Sequence, residues 1–136
     1  MRVAAAKAAL QGLRVFIVED EAIIAMSLED LLASLGCVVV GFAGTVAQAL
    51  VRIADPAMEI DAAILDVNMG DGETSFPIAE ALLALDVPFV FATGYARSVV
   101  AERYPAITTL SKPYSPEVLS VALADAVSGR KPSGLA

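Results

Sequence analysis

The residues able to do chemistry in this chain fall where apolar runs stop. Leu13-Arg14-Val15-Phe16-Ile17-Val18 runs into Glu19-Asp20-Glu21, and Ala63-Ile64-Leu65 runs into Asp66-Val67-Asn68-Met69-Gly70. Pro88-Phe89-Val90-Phe91-Ala92 ends at Thr93-Gly94, and Ile107-Thr108-Thr109-Leu110 is followed by Ser111-Lys112-Pro113. Apolar runs of this length read as strands buried on both faces, the pattern of a parallel sheet. All strands of such a sheet end on one side, where open α/β sheets place their ligands. Glu19, Asp20, Asp66, Thr93 and Lys112 are therefore expected to converge on one edge.

That set suits phosphate chemistry. Two carboxylates ~4 Å apart repel by about 4 kcal/mol at an effective dielectric of ~20, and one exposed ion pair returns only ~0–1 kcal/mol. Lys112 alone is thus a poor offset for three acids, and a divalent cation is expected. Mg²⁺ takes oxygen ligands and is usually held by one or two carboxylates with a phosphoryl group. Asp20 and Asp66 are the expected direct ligands, the main-chain carbonyl of Asn68 a third, and Glu19 acts through water. A carboxylate placed so can attack phosphorus and become an acyl phosphate. Lys112 and the Thr93 hydroxyl would then stabilise charge on the phosphoryl oxygens.

Each residue alone has a plainer explanation. Strand-end acids cap following helices, a threonine before glycine is a turn residue, and a lysine before proline is usually solvated. Their order at successive strand ends is what separates them from that background.

The elements that would position these groups follow from periodicity. After Glu21, Ile24, Leu28, Leu31 and Leu35 recur at helical spacing until Gly36 stops the helix. Cys37-Val38-Val39-Val40-Gly41-Phe42 reads as a second strand. Thr45 caps a helix with Val46, Leu50 and Ile53 inward. Pro77 opens another, with Ile78, Leu82 and Leu85 on its inner face. A weaker helix spans about Tyr95 to Arg103. Ser115 and Pro116 begin the last, with Leu119, Leu123 and Ala126 inward. Strand and helix alternate five times, which predicts a doubly wound α/β fold with helices on both faces of a five-stranded parallel sheet. Residues 1–12 read as an Ala-rich lead, 13–128 as one domain and 129–136 as a frayed tail.

Composition narrows the function. With 136 residues and a formal charge of −7, nucleic acid and anionic membrane are disfavoured as partners. No apolar stretch approaches the ~18 residues of a membrane span, and Lys7 interrupts the only signal-like segment. A cytoplasmic protein is expected. Cys37 is the sole cysteine and should be a buried, inert thiol. Histidine is absent, which excludes Ser-His and Cys-His catalysis and the usual zinc sites.

Val18-Glu19-Asp20-Glu21, Leu65-Asp66-Val67-Asn68-Met69, Thr93-Gly94 and Lys112-Pro113 together resemble the receiver domain of two-component response regulators, over about residues 13–128. The resemblance implies a flavodoxin-like strand order 2-1-3-4-5 and a cis Lys112–Pro113 peptide. It implies that Asp66 accepts phosphate from the phosphohistidine of a histidine kinase or histidine phosphotransferase, with Glu19 and Asp20 helping to hold Mg²⁺. Pro88-Phe89-Val90-Phe91-Ala92-Thr93-Gly94-Tyr95 looks further like the signature of the FATGUY group of single-domain regulators, known from alphaproteobacteria. Two departures stand out. Thr109 occupies the place of the usual aromatic switch, so Tyr95 would share the switching role with Thr93 and Thr109. Gly70 replaces a common proline, so the loop after Asp66 should be looser.

The function expected is a phosphorylation-controlled signalling protein without an output domain. It would bind an unknown downstream protein when phosphorylated, or drain phosphate from a shared kinase, and catalyse nothing beyond its own phosphorylation and dephosphorylation. The alternative is a Mg²⁺-dependent phosphatase with an aspartyl-phosphate intermediate, although Asn68 stands where such an enzyme wants a second acid. A flavin module fits less well, because Glu19-Asp20-Glu21 would repel a phosphate seated after the first strand.

Overall fold

The computed structural model describes residues 2–94 and 97–129. Five strands form one parallel sheet: β1 (Arg14–Val18), β2 (Val38–Ala43), β3 (Ala62–Asp66), β4 (Phe89–Thr93) and β5 (Thr109–Ser111). Their order is β2-β1-β3-β4-β5, the flavodoxin-like arrangement expected. Six helices complete the fold: α1 (Arg2–Leu10), α2 (Ala22–Ser34), α3 (Val46–Ala54), α4 (Phe76–Ala84), α5 (Arg97–Arg103) and α6 (Pro116–Val127).

Alternation along each strand sends side chains into two separate cores. Val15, Ile17, Ile64, Val90 and Leu110 pack beneath α2 and α6. Phe16, Val18, Leu65, Phe89 and Phe91 pack beneath α3, α4 and α5. Burial on both faces explains why β1, β3 and β4 read as apolar runs, whereas the edge strand β2 is apolar but only partly buried. The caps also follow the sequence. Thr45 accepts a hydrogen bond from the Gln48 N–H at 3.1 Å, and Ser115 accepts one from the Val118 N–H at 3.2 Å. Gly36, at φ +90°, turns the chain out of α2. Cys37 is buried, and that burial pushes its thiol up to about 11, which leaves it unreactive as expected.

Three helix faces differ in part from expectation. α2 buries Ala25, Leu28, Leu32 and Leu35 and leaves Ile24 partly exposed. α3 buries Ala49 in place of Leu50, and α4 buries Ala79 in place of Leu85. Small side chains let these helices lie close on the sheet, so the neighbouring large residues point outward. α6 turns Leu119 and Leu123 inward, but Ala126 is only half-buried.

The Ala-rich lead is also more than a lead. It folds as α1, packs against α6, and buries Ala6 and Leu10, the latter in the core beneath α2 and α6. Leu10→Ala should cost about 2–4 kcal/mol in urea unfolding, against at most about 0.5 kcal/mol for Ile23→Ala, whose side chain is 80% exposed.

Candidate functional site

The β1, β3, β4 and β5 ends meet at one edge of the sheet because the parallel register brings Val18 beside Leu65, Asp66 beside Ala92 and Thr93 beside Ser111. The chain then leaves each strand within a residue or two. Glu19, Asp20, Asp66 and Lys112 come together there as the sequence predicts. Carboxylate oxygens of Glu19, Asp20 and Asp66 all lie within 4.8 Å of one another. The Lys112 ammonium donates to Glu19 Oε1 at 3.0 Å and pairs with Asp66 Oδ1 at 3.4 Å.

The acids do not cap the helix that follows. The N-cap of α2 is Glu21, which makes no side-chain cap bond. Glu19 instead turns back, and its Oε2 accepts the Glu21 N–H at 3.2 Å.

Burial separates the carboxylates electrostatically. The Asp66 side chain is 13% exposed and that of Glu19 only 4%. Burial and the Glu19 charge push Asp66 up to about 7, against the pull of Lys112. Burial acts on Glu19 as well, but hydrogen bonds from Lys112 and the Glu21 N–H outweigh it and hold Glu19 below the usual range. Lys112 loses hydration by burial, yet its bond to Glu19 and the charge of Asp66 raise it. One lysine thus satisfies one acid and leaves the other short of positive charge.

Thr93 is fully buried at the end of β4, and its carbonyl accepts the Lys112 N–H at 2.8 Å, which ties it to the lysine's strand. The Lys112–Pro113 peptide is cis, as the resemblance implies. Asn68 is half-buried two residues past Asp66 and bridges Thr74. The loop it opens is not loose, as Gly70 had suggested. Met69 N–H donates to the Glu73 carbonyl at 3.0 Å, Glu73 N–H to the Gly70 carbonyl at 2.9 Å, and Ser75 N–H to the Val67 carbonyl at 2.9 Å.

Thr109 does not join the acidic group. It pairs in register with Phe91, on the sheet face that carries the core beneath α3, α4 and α5, and its buried hydroxyl has no hydrogen-bond partner. Tyr95 lies outside the described residues, as does the tail from 130 onward.

Two contributors were missed from sequence. Tyr114 is half-buried close enough to Lys112, Glu19 and Asp66 for their charges to act on it, and burial raises its phenol. Only its spacing two residues after Lys112 hinted at this. Met26, Phe42 and Gly44 line a cleft of about 250 Å³ with Glu19 and Asp20, a placement set by chain path that periodicity does not encode.

The geometry matches what comparison with known proteins finds. Residues 15–124 match the response regulator receiver domain. The chain belongs to that family. It is 33% identical over 122 residues to the phyllosphere-induced regulator PhyR of Methylorubrum extorquens, covering 88% of this chain but only 45% of that protein. It thus spans under half of that relative's length. The solution structure of SdrG from Sphingomonas melonis Fr1 is 47% identical with a TM-score of 0.69, covering 89% of this chain and 96% of SdrG. The BeF3-activated conformation of SdrG from Pseudomonas melonis Fr1 is 46% identical with a TM-score of 0.66, covering 81% of this chain and 96% of that one. The receiver is a signalling domain of two-component systems, and its relatives are regulators. Among the described residues no helix is long and apolar enough to cross a membrane.

A stability prediction follows from the charge imbalance. Without divalent cation, the folded protein holds a proton on Asp66 up to about pH 7, whereas the unfolded chain releases it near 3.8. The folded state binds more protons in that window, so this residue's contribution to stability falls as pH rises from about 4 to about 7. Asp66→Asn should remove the penalty and stabilise the protein on the order of 1–3 kcal/mol at pH 8. The gain should shrink below pH 5. Chemical denaturation at the two pH values measures it.

Proposed function

We propose that this receiver accepts a phosphoryl group on Asp66 from the phosphohistidine of a histidine kinase or histidine phosphotransferase. The observation that carries the reading is the placement of Asp66, with Lys112 3.4 Å away and two further acids within 4.8 Å.

The three carboxylates fit Mg²⁺, since they offer hard oxygen donors in a group with too little positive charge of its own. Asp20, Asp66 and the main-chain carbonyl of Asn68 would hold it directly, with Glu19 behind a water. When bound, Mg²⁺ supplies charge that favours ionised Asp66 and offsets the phosphoryl oxygens.

In the transfer itself, an Asp66 carboxylate oxygen forms the new P–O bond as the P–N bond to the partner's imidazole breaks. The departing nitrogen keeps the bonding electron pair. Lys112 donates from its ammonium to a phosphoryl oxygen, and the Thr93 hydroxyl to another. Thr93 and Thr109, with Tyr95, would pass the change to the α5 and β5 surface. The single-domain form of the proposal rests on likeness to SdrG, nearly all of which this chain covers. Its output is phosphorylation-dependent binding of a downstream protein in the cytoplasm, or removal of phosphate from a shared kinase.

The phosphatase alternative has less support. Asn68 is a carboxamide, not an acid able to serve as proton donor, and its main chain pairs with that of Thr74.

Incubation with Mg²⁺ and acetyl phosphate, read by intact mass, should add one phosphoryl group to the wild type and none to Asp66→Asn. Lys112→Ala should slow the gain by at least tenfold. No gain in the wild type, or an equal gain in Asp66→Asn, overturns the proposal. Sustained turnover of a phosphate ester would favour the phosphatase.

A further inference from the structure

The loop between β3 and α4 is built on three consecutive left-handed residues, Gly70 at φ +79°, Asp71 at +51° and Gly72 at +76°. This run folds the loop back so that Gly70 faces the acidic group. A Cβ added at Gly70 would sit 3.3 Å from Asp20 Oδ2, and it would meet no other atom within 4 Å beyond its chain neighbours. A Cβ added at Gly72, with nearly the same φ, would meet nothing within 4 Å. Proline, with φ fixed near −65°, cannot occupy position 70 in this loop.

A contact of 3.3 Å is tight for a methyl against a carboxylate oxygen, so one of the two must yield. The loop cannot yield easily, because its Gly70 carbonyl and Met69 N–H are both engaged with Glu73. Asp20 is exposed, so its carboxylate is the group that gives, by a few tenths of an ångström, from its place beside Glu19 and Asp66. We propose that Gly70 is a positioning residue of the cation site, whose bare backbone lets the Asp20 carboxylate close on those of Glu19 and Asp66. The inference rests on the cation site proposed above.

The two glycines make the test selective. Gly70→Ala and Gly72→Ala carry the same left-handed backbone strain, but only the first crowds Asp20. Titration of the full chain with MgCl₂ by isothermal calorimetry should give a dissociation constant at least fivefold weaker for Gly70→Ala. Gly72→Ala should stay within twofold of wild type. In an Asp20→Asn background, Gly70→Ala should add no further loss, since the carboxylate it displaces is gone. Should Gly70→Ala fail to fold, Gly70→Asn tolerates the left-handed backbone better and carries the same Cβ. Equal affinities for Gly70→Ala and Gly72→Ala, or a full further loss in the Asp20→Asn background, overturn the inference and leave the cation site standing. A wild type that binds no Mg²⁺ overturns the site itself.

Discussion

Crowding of acids at the end of a parallel sheet is the constraint on which this structure turns. Glu19, Asp20 and Asp66 are brought within 4.8 Å of one another by β1 and β3, which pair in register and end together. Lys112 reaches two of them from β5 and cannot neutralise all three. Repulsion of about 4 kcal/mol per close pair would push such a group apart if it sat on mobile loops. Here the main chain at Glu19 and Asp66 is fixed at the ends of strands with apolar cores on both faces, so those two acids cannot retreat without tearing the cores. The fold therefore spends stability to keep the site electrostatically unfinished. Hard oxygen donors in such a set suit a divalent cation.

The same logic explains which parts were legible in the sequence. Strands were clear because burial on both faces leaves no room for polar residues, and the polar residue that ends each run marks the edge. The acids and the lysine were found by that punctuation alone. Helix faces were less clear, because 57% hydrophobic content puts apolar residues on both sides of a helix. Size then decides which side is buried. Ala25 and Ala49 admit close approach to the sheet, while their neighbours Ile24 and Leu50 turn outward. Periodicity ranks the larger residues first and so chose the wrong neighbour.

Loops show the opposite limit. A proline-to-glycine exchange suggested slack at position 70, since glycine is flexible in an unfolded chain. Left-handed φ values at 70–72 and two hydrogen bonds to Glu73 give a tight turn instead. Glycine here widens the choice of conformation and tertiary context then selects one.

The region beside Thr93 is rebuilt on a similar principle. β5 carries Thr109 where an aromatic would otherwise face Phe91, and its hydroxyl is buried without a partner. The ring that abuts Phe91 comes instead from Tyr104, just past α5, with centroids 5.2 Å apart. Tyr104 is fixed at its far end, where its hydroxyl donates to Glu80 Oε2 at 2.7 Å. Arg103 stacks over Phe76, 4.5 Å from its centroid, and closes the cluster between α4 and α5. These contacts join the end of α5 to α4 and β4 through one ring, whereas an aromatic on the edge strand would belong to β5 alone.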